Sequence, residues 1–148
     1  MSENLILLVE DNEDDRELAV LAFRQAPVTS TLVALEDGQQ ALDYLFADER
    51  FAATEAGGLP RLVLLDLKMP KIDGFEVLRR VRADQRTRYM PVVILTSSTE
   101  QSDMIEAYGL GANSYLRKPV DFLDFVEAAR QISGYWLALN QTLCVRAR

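Results

Sequence analysis

The sequence predicts an α/β domain: a doubly wound, five-stranded parallel sheet with helices on both faces. The chain has 148 residues, of which 49% are hydrophobic and 26% charged, a composition typical of one globular domain with a single core. Short apolar segments alternate with segments of helical periodicity along the whole chain. Near-continuous apolar strands that alternate with helices are typical of parallel sheets covered on both faces.

The first strand and helix are predicted from apolar patterning. Leu5–Val9 is an unbroken apolar run, as expected of a strand that is covered on both faces, and acidic residues follow it. In the next segment Leu18 and Ala22 recur at helical spacing, and Pro27 follows the end of that helix. The second strand is predicted at Thr31–Leu35.

The second and third helices each begin at an aspartate that can cap them. Asp37 predicts a helix that runs to about Phe46, because its carboxylate can accept a hydrogen bond from a first-turn amide. A polar loop over 47–60 separates this helix from a third apolar strand over 62–67. Asp73 then begins the third helix in the same manner.

The remaining elements repeat the pattern. The fourth and fifth strands are predicted at Val92–Thr96 and Ser114–Arg117. Ser98 is expected to cap the helix between them, and Asp121 to cap the last helix. We therefore expect one domain over residues 1–148, with a short C-terminal extension from about residue 133 and no output domain.

Composition excludes several classes of function. The net charge is -7, the wrong sign for direct nucleic-acid binding or for an anionic membrane surface, and no apolar run approaches the ~20 residues of a membrane span. The single cysteine, Cys144, cannot form an internal disulfide, which favours the cytoplasm. The chain has no histidine, so Ser-His catalysis, His-ligated zinc and a phosphohistidine donor are excluded.

Chemically active side chains follow the strand ends. Glu10 and Asp11 follow the first strand, Asp66 lies at the end of the third, Thr96 ends the fourth and Lys118 follows the fifth. The carboxyl ends of parallel strands meet at one edge of the sheet, where such folds bind ligands. We therefore expect three carboxylates, one hydroxyl and one ammonium group to share a pocket.

Three neighbouring carboxylates require a compensating charge. Two carboxylates about 4 Å apart repel by roughly 4 kcal/mol at an effective dielectric of 20. Either a proton or a divalent cation must offset this, and oxygen ligands suit Mg²⁺. Such a site could receive a phosphoryl group, with Asp66 as nucleophile, Lys118 as a second positive charge and Thr96 as a hydrogen-bond donor. Asp14 and Asp15 are expected only to cap the first helix.

Five motifs together resemble the signature of response-regulator receiver domains of two-component signalling, which have a flavodoxin-like fold. They are EDN at 10–12, DLKMP at 66–70, DG at 73–74, LTS at 95–97 and YLRKP at 115–119. The resemblance implies that Asp66 accepts a phosphoryl group from the phosphohistidine of a partner histidine kinase. It also implies that Asp11, Asp66 and the backbone carbonyl of Lys68 ligate Mg²⁺, with Glu10 acting mainly through water.

The resemblance further assigns the switch residues. Thr96 and Lys118 would hold phosphoryl oxygens, and Tyr115 would move inward as Thr96 is drawn to the phosphate. The bond between Lys118 and Pro119 is expected to be cis, which would turn the lysine back into the site.

Further features resemble the small stand-alone regulators that partner bacterial and cyanobacterial phytochromes. These are the loop over 47–60, the string ANSYL at 112–116 and the YWL run at 135–137. The last helix and its extension also carry more apolar residues than one buried stripe needs, including Leu123, Tyr135 and Trp136. We therefore expect a homodimer through the fourth helix, fifth strand and last helix, unless the C-terminal segment folds back onto its own monomer.

Three other functions are alternatives for this fold. A metal-dependent phosphatase with an aspartyl nucleophile would want a second aspartate at position 68, which is Lys68. A dinucleotide or flavin binder would need glycines where this chain has acids after its first strand. The third alternative is an interaction module that is not phosphorylated. The expected output is a change of conformation, so we do not expect an enzyme that acts on an external substrate.

Overall fold

The computed structural model describes residues 4–47 and 59–143. Its strands form one parallel sheet in the order β2-β1-β3-β4-β5. The strands are β1 (Leu5–Val9), β2 (Thr31–Leu35), β3 (Leu62–Leu65), β4 (Val92–Thr96) and β5 (Ser114–Arg117). The helices are α1 (Glu13–Arg24), α2 (Gly38–Leu42), α3 (Gly74–Ala83), α4 (Gln101–Gly109) and α5 (Phe122–Ser133). A π-helical turn extends α2 over Asp43–Ala47, and another extends α5 over Gly134–Leu139.

The two faces of the sheet have separate apolar cores, which confirms the predicted doubly wound fold. Alternate residues of each central strand belong to different cores: Leu7 packs with α2, α3 and α4, whereas Ile6 and Leu8 pack with α1 and α5. This alternation is the two-residue periodicity of a strand. Strands β1, β3 and β4 are buried along their whole length. The strand order reverses between β1 and β3, so the site predicted at their carboxyl ends lies at the switch point.

Helix starts follow the predicted caps at α2, α3 and α5, but not at α1 and α4. The carboxylates of Asp37, Asp73 and Asp121 each accept a backbone amide hydrogen bond in the first turn of their helices. The prediction that Ser98 caps α4 is wrong, because the N-cap residue is Glu100. The Ser98 hydroxyl instead donates to the Asp103 carboxylate at 2.6 Å and accepts from the Glu100 amide at 3.2 Å.

The C-terminal segment packs against its own domain. Trp136 is half-buried against the α1/α5 core and Leu137 is buried in it, so this part of the segment folds back onto its own monomer, the alternative that the sequence left open. Leu137 is buried in the π-helical turn that extends α5, whereas Tyr135 and Leu139 of the same turn remain exposed. The predicted loop over 47–60 lies largely outside the described residues, as does Cys144. None of the helices in the described ranges is long and apolar enough to cross a membrane.

Candidate functional site

The ends of β1 and β3 each place a buried acidic side chain at the carboxyl edge of the sheet. β3 ends at Leu65, earlier than predicted, but the Asp66 amide still donates to the Val9 carbonyl at 3.1 Å. The Glu10 amide likewise donates to Leu35 at 3.0 Å. Both acids are therefore fixed by backbone hydrogen bonds to neighbouring strands, and both are buried.

Three of the predicted ligands come together as expected. Carboxylate oxygens of Glu10, Asp11 and Asp66 all lie within 4.8 Å of one another, and Asp11 is the exposed member. Glu10 also accepts the Asn12 amide at 3.0 Å, and Asp66 accepts the Leu67 amide at 2.7 Å. These bonds hold the carboxylates at the site while leaving other oxygen lone pairs free for a cation.

Lys118 is the cation of this cluster. Its amide donates to the Thr96 carbonyl at 2.8 Å, which continues the pairing of β5 with β4 by one residue. Its ammonium Nζ lies 2.8 Å from Glu10 Oε1, 3.0 Å from Asp15 Oδ2 and 3.4 Å from Asp66 Oδ2. Asp66 is therefore the most weakly paired of the three acids that contact the lysine.

The structure corrects two expectations about Lys118. Its bond to Pro119 is trans, so the predicted cis peptide is wrong. The trans chain already delivers Nζ to the acids, because the backbone bond to Thr96 sets the direction of the side chain. Asp15 was expected only to cap α1, but it is a partner of this lysine, and Asn12 provides the cap instead.

Burial and charge shift two pKa values in this cluster. Burial raises the pKa of Glu10, with a smaller opposing effect from its hydrogen bond to Lys118. Burial alone would lower the pKa of Lys118, but hydrogen bonds to Glu10 and Asp15 and the charge of Asp66 raise it overall. The lysine therefore keeps its proton at neutral pH, and one ammonium faces four acidic groups. This excess of negative charge, carried by oxygen donors alone, fits a divalent cation.

The predicted switch residues lie beside the cluster. Thr96 is buried at the end of β4, and its hydroxyl oxygen accepts the Ser98 amide at 3.2 Å. The hydroxyl of Tyr115 is buried without a hydrogen-bond partner among the described residues, and its ring packs against the core formed with α2, α3 and α4. Its ring centroid lies 6.4 Å from that of Tyr108 on α4. Tyr115 is thus already directed inward in this structure, whereas the resemblance implied an inward movement only as Thr96 is drawn to a phosphate.

Two local features support the loop that follows Asp66. Gly74 begins α3 so close to the site that an added Cβ would lie 2.2 Å from the Asp66 carbonyl oxygen, which explains the DG motif. The side chain of Lys68 does not join the acids and is paired with Asp103 on α4. Sequence patterns had no signal for Asp103, because a lone acid in the first turn of a helix is common.

A family model matches this arrangement. The response regulator receiver domain model covers residues 6–130, so the chain belongs to the receiver family of signalling proteins. A curated relative, the probable methanogenesis regulatory protein FilR2 of Methanothrix harundinacea, is 44% identical over 140 residues, which span 93% of this chain and 86% of that protein.

Two solved structures share the whole fold. Response regulator RPA3017, in red light signaling of R. palustris, superposes with a TM-score of 0.86 at 35% identity, covering 96% of this chain and 99% of that one. The Mn²⁺-bound form of response regulator Rcp1, a protein of Synechocystis, gives a TM-score of 0.81 at 33% identity, covering 95% and 99%. The chain is therefore similar to response regulators associated with light signalling and with divalent metal.

Proposed function

We propose that Asp66 accepts a phosphoryl group from the phosphohistidine of a partner histidine kinase, in a Mg²⁺-dependent reaction. The protein would signal by the resulting change of conformation, in the cytoplasm, and would not turn over an external substrate. The observation that carries this proposal is the position of the Asp66 carboxylate. It is buried between two further carboxylates and Lys118, and it has the longest contact to that lysine.

The transfer uses groups of this chain in defined roles. An Asp66 oxygen attacks phosphorus, the new O–P bond forms, and the N–P bond to the donor imidazole breaks with the electron pair remaining on nitrogen. The Leu67 amide orients the Asp66 carboxylate, and the Lys118 ammonium moves from carboxylate oxygens to a phosphoryl oxygen. The Thr96 hydroxyl is available as a donor, because its oxygen only accepts in the structure.

The donor set fits the proposed cation. Glu10, Asp11, Asp66 and the backbone carbonyl of Lys68 would hold Mg²⁺, with Glu10 acting mainly through water. When bound, Mg²⁺ supplies positive charge that offsets the negative oxygens of the transferring group. The three clustered carboxylates share the ammonium of Lys118, so negative charge remains for a divalent cation to offset.

The output step rests on Thr96 and Tyr115. Movement of the Thr96 hydroxyl toward a phosphoryl oxygen would alter the space beside Tyr115, which lies on the neighbouring strand. The buried, unpartnered hydroxyl of Tyr115 makes its inward position costly, so a small change in this space can shift its equilibrium.

Labelling tests the acceptor. With Mg²⁺ and a small phosphodonor, such as an acyl phosphate, the protein should gain one acid-stable, hydroxylamine-labile phosphoryl group. Asp66→Asn should gain none, whereas Asp14→Asn, which removes an exposed acid of α1, should be labelled normally. Stoichiometric labelling of the Asp66→Asn protein at another residue would refute the assignment.

We also propose a phytochrome-type histidine kinase as the partner. Support comes from the similarity to RPA3017 and to the cyanobacterial phytochrome response regulator RcpA. A panel of purified kinases from the source organism should show the fastest transfer from a phytochrome kinase. Faster transfer from a kinase without a light-sensing domain would assign the partner elsewhere, as the similarity to FilR2 would allow.

Finally, we propose that two copies associate through α4, β5 and α5. Exposed apolar side chains of α4 and α5 are Met104, Ile105, Tyr108 and Leu123, and Tyr135 and Leu139 are exposed in the π-helical turn that extends α5. Sedimentation equilibrium at micromolar concentration should show a dimer that Leu123→Glu shifts to monomer. Leu21→Glu, a matched change at an exposed leucine of α1, should leave the dimer intact. A monomeric wild type, with or without the phosphoryl group, would reject this surface.

A further inference from the structure

A second charged cluster joins two loops of the site to α4. Asp103 is buried in the first turn of α4. The ammonium of Lys68 contacts both of its carboxylate oxygens, at 3.3 Å to Oδ1 and 3.2 Å to Oδ2. The Ser98 hydroxyl donates to the same carboxylate at 2.6 Å. The hydrogen bond from Ser98 is also the main cause of a lowered pKa at Asp103. Asp103 is therefore an ionised acceptor for groups from two different loops.

Each loop leads back to a residue of the phosphoryl site. Lys68 lies two residues after Asp66 in the β3–α3 loop. Ser98 lies two residues after Thr96, and its amide donates to the Thr96 hydroxyl oxygen at 3.2 Å. The carboxylate of Asp103 is thus connected with both residues whose partners change when a phosphoryl group arrives.

The two side chains of the ion pair differ in exposure and mobility. The side chain of Lys68 is 62% exposed, whereas that of Asp103 is only 11% exposed and is fixed on a helix. Lysine carries its charge on a flexible four-carbon chain, and an exposed ion pair of this kind is weak. A phosphoryl group on Asp66 would place nearly two additional negative charges two residues from Lys68. The ammonium can exchange partners with little movement of the backbone.

We propose that Asp103 is a positioning residue that competes with the phosphoryl group for Lys68. In the unphosphorylated protein it holds the ammonium against α4, and after transfer it releases the ammonium to phosphoryl oxygens. The first turn of α4 then loses the contact that ties it to the β3–α3 loop. This inference rests on the proposed function, because it requires a phosphoryl group at Asp66.

The competition has a reciprocal consequence. A contact that is broken when the phosphoryl group binds must weaken that binding by the same factor. Asp103→Asn removes the charge that holds Lys68 but keeps an oxygen acceptor for the Ser98 hydroxyl. The variant should therefore bind a phosphoryl analogue more tightly, by about threefold for an ion pair this exposed.

The probe is beryllofluoride with Mg²⁺, titrated against the full chain. Asp103→Asn should lower its dissociation constant by about threefold relative to wild type. Glu106→Gln, which removes an exposed acid from the same helix, should leave the constant unchanged. In a Lys68→Ala background the additional change Asp103→Asn should give no gain, because the competing ammonium is absent.

Hydrogen exchange gives a readout that does not depend on the analogue. First-turn amides of α4 should exchange faster in both Lys68→Ala and Asp103→Asn than in wild type, and beryllofluoride should speed the same amides in wild type. If Asp103→Asn folds poorly, Lys68→Ala decides this comparison.

The outcomes separate the two proposals. Failure of beryllofluoride to bind the wild type would overturn the proposed phosphoryl site. Normal binding that Asp103→Asn does not tighten, or a gain that persists without Lys68, would overturn the role of Asp103 alone. Unchanged exchange in α4 in both variants would do the same.

Discussion

The charged side chains at the two ends of the sheet differ in how fully they are paired. At the carboxyl end, one ammonium, that of Lys118, faces four acidic groups. At the amino end, the guanidinium of Arg82 donates to the carbonyls of Gly111, Arg88 and Met90 and to the Asn113 side chain. Burial lowers the pKa of Arg82, but a guanidinium remains charged at any pH a protein tolerates.

The amino end therefore supports the fold, whereas the groups at the carboxyl end can exchange partners. Arg82 links the loops before β4 and β5 by donating to neutral acceptors in both. Asn113, one of these acceptors, also accepts the Val92 amide at 2.8 Å. All of these groups are hydrogen-bonded within the fold. The carboxyl end keeps an excess of negative charge that folding leaves uncompensated. Charged groups in one fold can therefore be divided into those that the folded protein pairs fully and those that it leaves partly uncompensated.

The largest expected effect is at the amino end. Arg82→Ala should lower the free energy of unfolding by about 2–3 kcal/mol, because three carbonyls and the Asn113 side chain lose a charged donor. Urea unfolding measures this. Arg82→Lys should recover only part of the loss, since lysine lacks the planar fork. Arg79→Ala, at an exposed position of the same helix, should have little effect, and an equal loss there would remove the contrast between the two ends.

The next effect is at the carboxyl end and depends on metal. Mg²⁺ at ten times its dissociation constant should raise the free energy of unfolding by about 1.4 kcal/mol by mass action. Asp11→Ala should lose most of this gain, and Arg82→Ala should retain it. Thermal unfolding with and without Mg²⁺ provides the measurement. A wild-type melting temperature that does not respond to millimolar Mg²⁺ would contradict a preformed site.

A smaller effect of opposite sign to Arg82→Ala is expected without metal. Asp66→Asn should raise the free energy of unfolding in EDTA by about 1 kcal/mol, because it removes one of three clustered carboxylates and keeps the acceptor for Leu67. Asp14→Asn, outside the cluster, serves as the control. If Asp66→Asn destabilised the metal-free protein, the carboxyl end would be as fully compensated as the amino end.

The smallest effect is the pH dependence of Glu10. Its folded-state pKa lies above the ordinary value of 4.5, so protonation favours the folded state. The stability that Glu10 contributes is fully present below its pKa in the unfolded state. It is lost as pH rises through the raised pKa of Glu10 in the folded state. In EDTA, the wild type should therefore lose stability relative to Glu10→Gln as pH increases from about 4.5 toward neutrality. A constant difference between the two proteins across this range would show that burial does not disfavour the ionised form.

The sequence by itself determined the strands, most helix starts and the principal acids of the site. Apolar runs such as Leu5–Val9 specify buried strands, and caps such as Asp73 act on their own first turn, so both are local signals. The gathering of Glu10 and Asp66 also followed from the sequence, because parallel strands bring their carboxyl ends to one edge.

Only the tertiary structure decided the long-range pairs that the sequence patterns had not predicted. Lys118 reaches Asp15 across 103 residues of sequence, Lys68 reaches Asp103 across 35, and Arg82 reaches Asn113 across 31. Trp136, in the π-helical turn after α5, likewise packs against a core that contains residues from distant parts of the chain. Such contacts depend on how helices from distant parts of the chain are placed on the sheet. Periodicity and capping carry no information about that placement, because they report only on neighbours within a few residues.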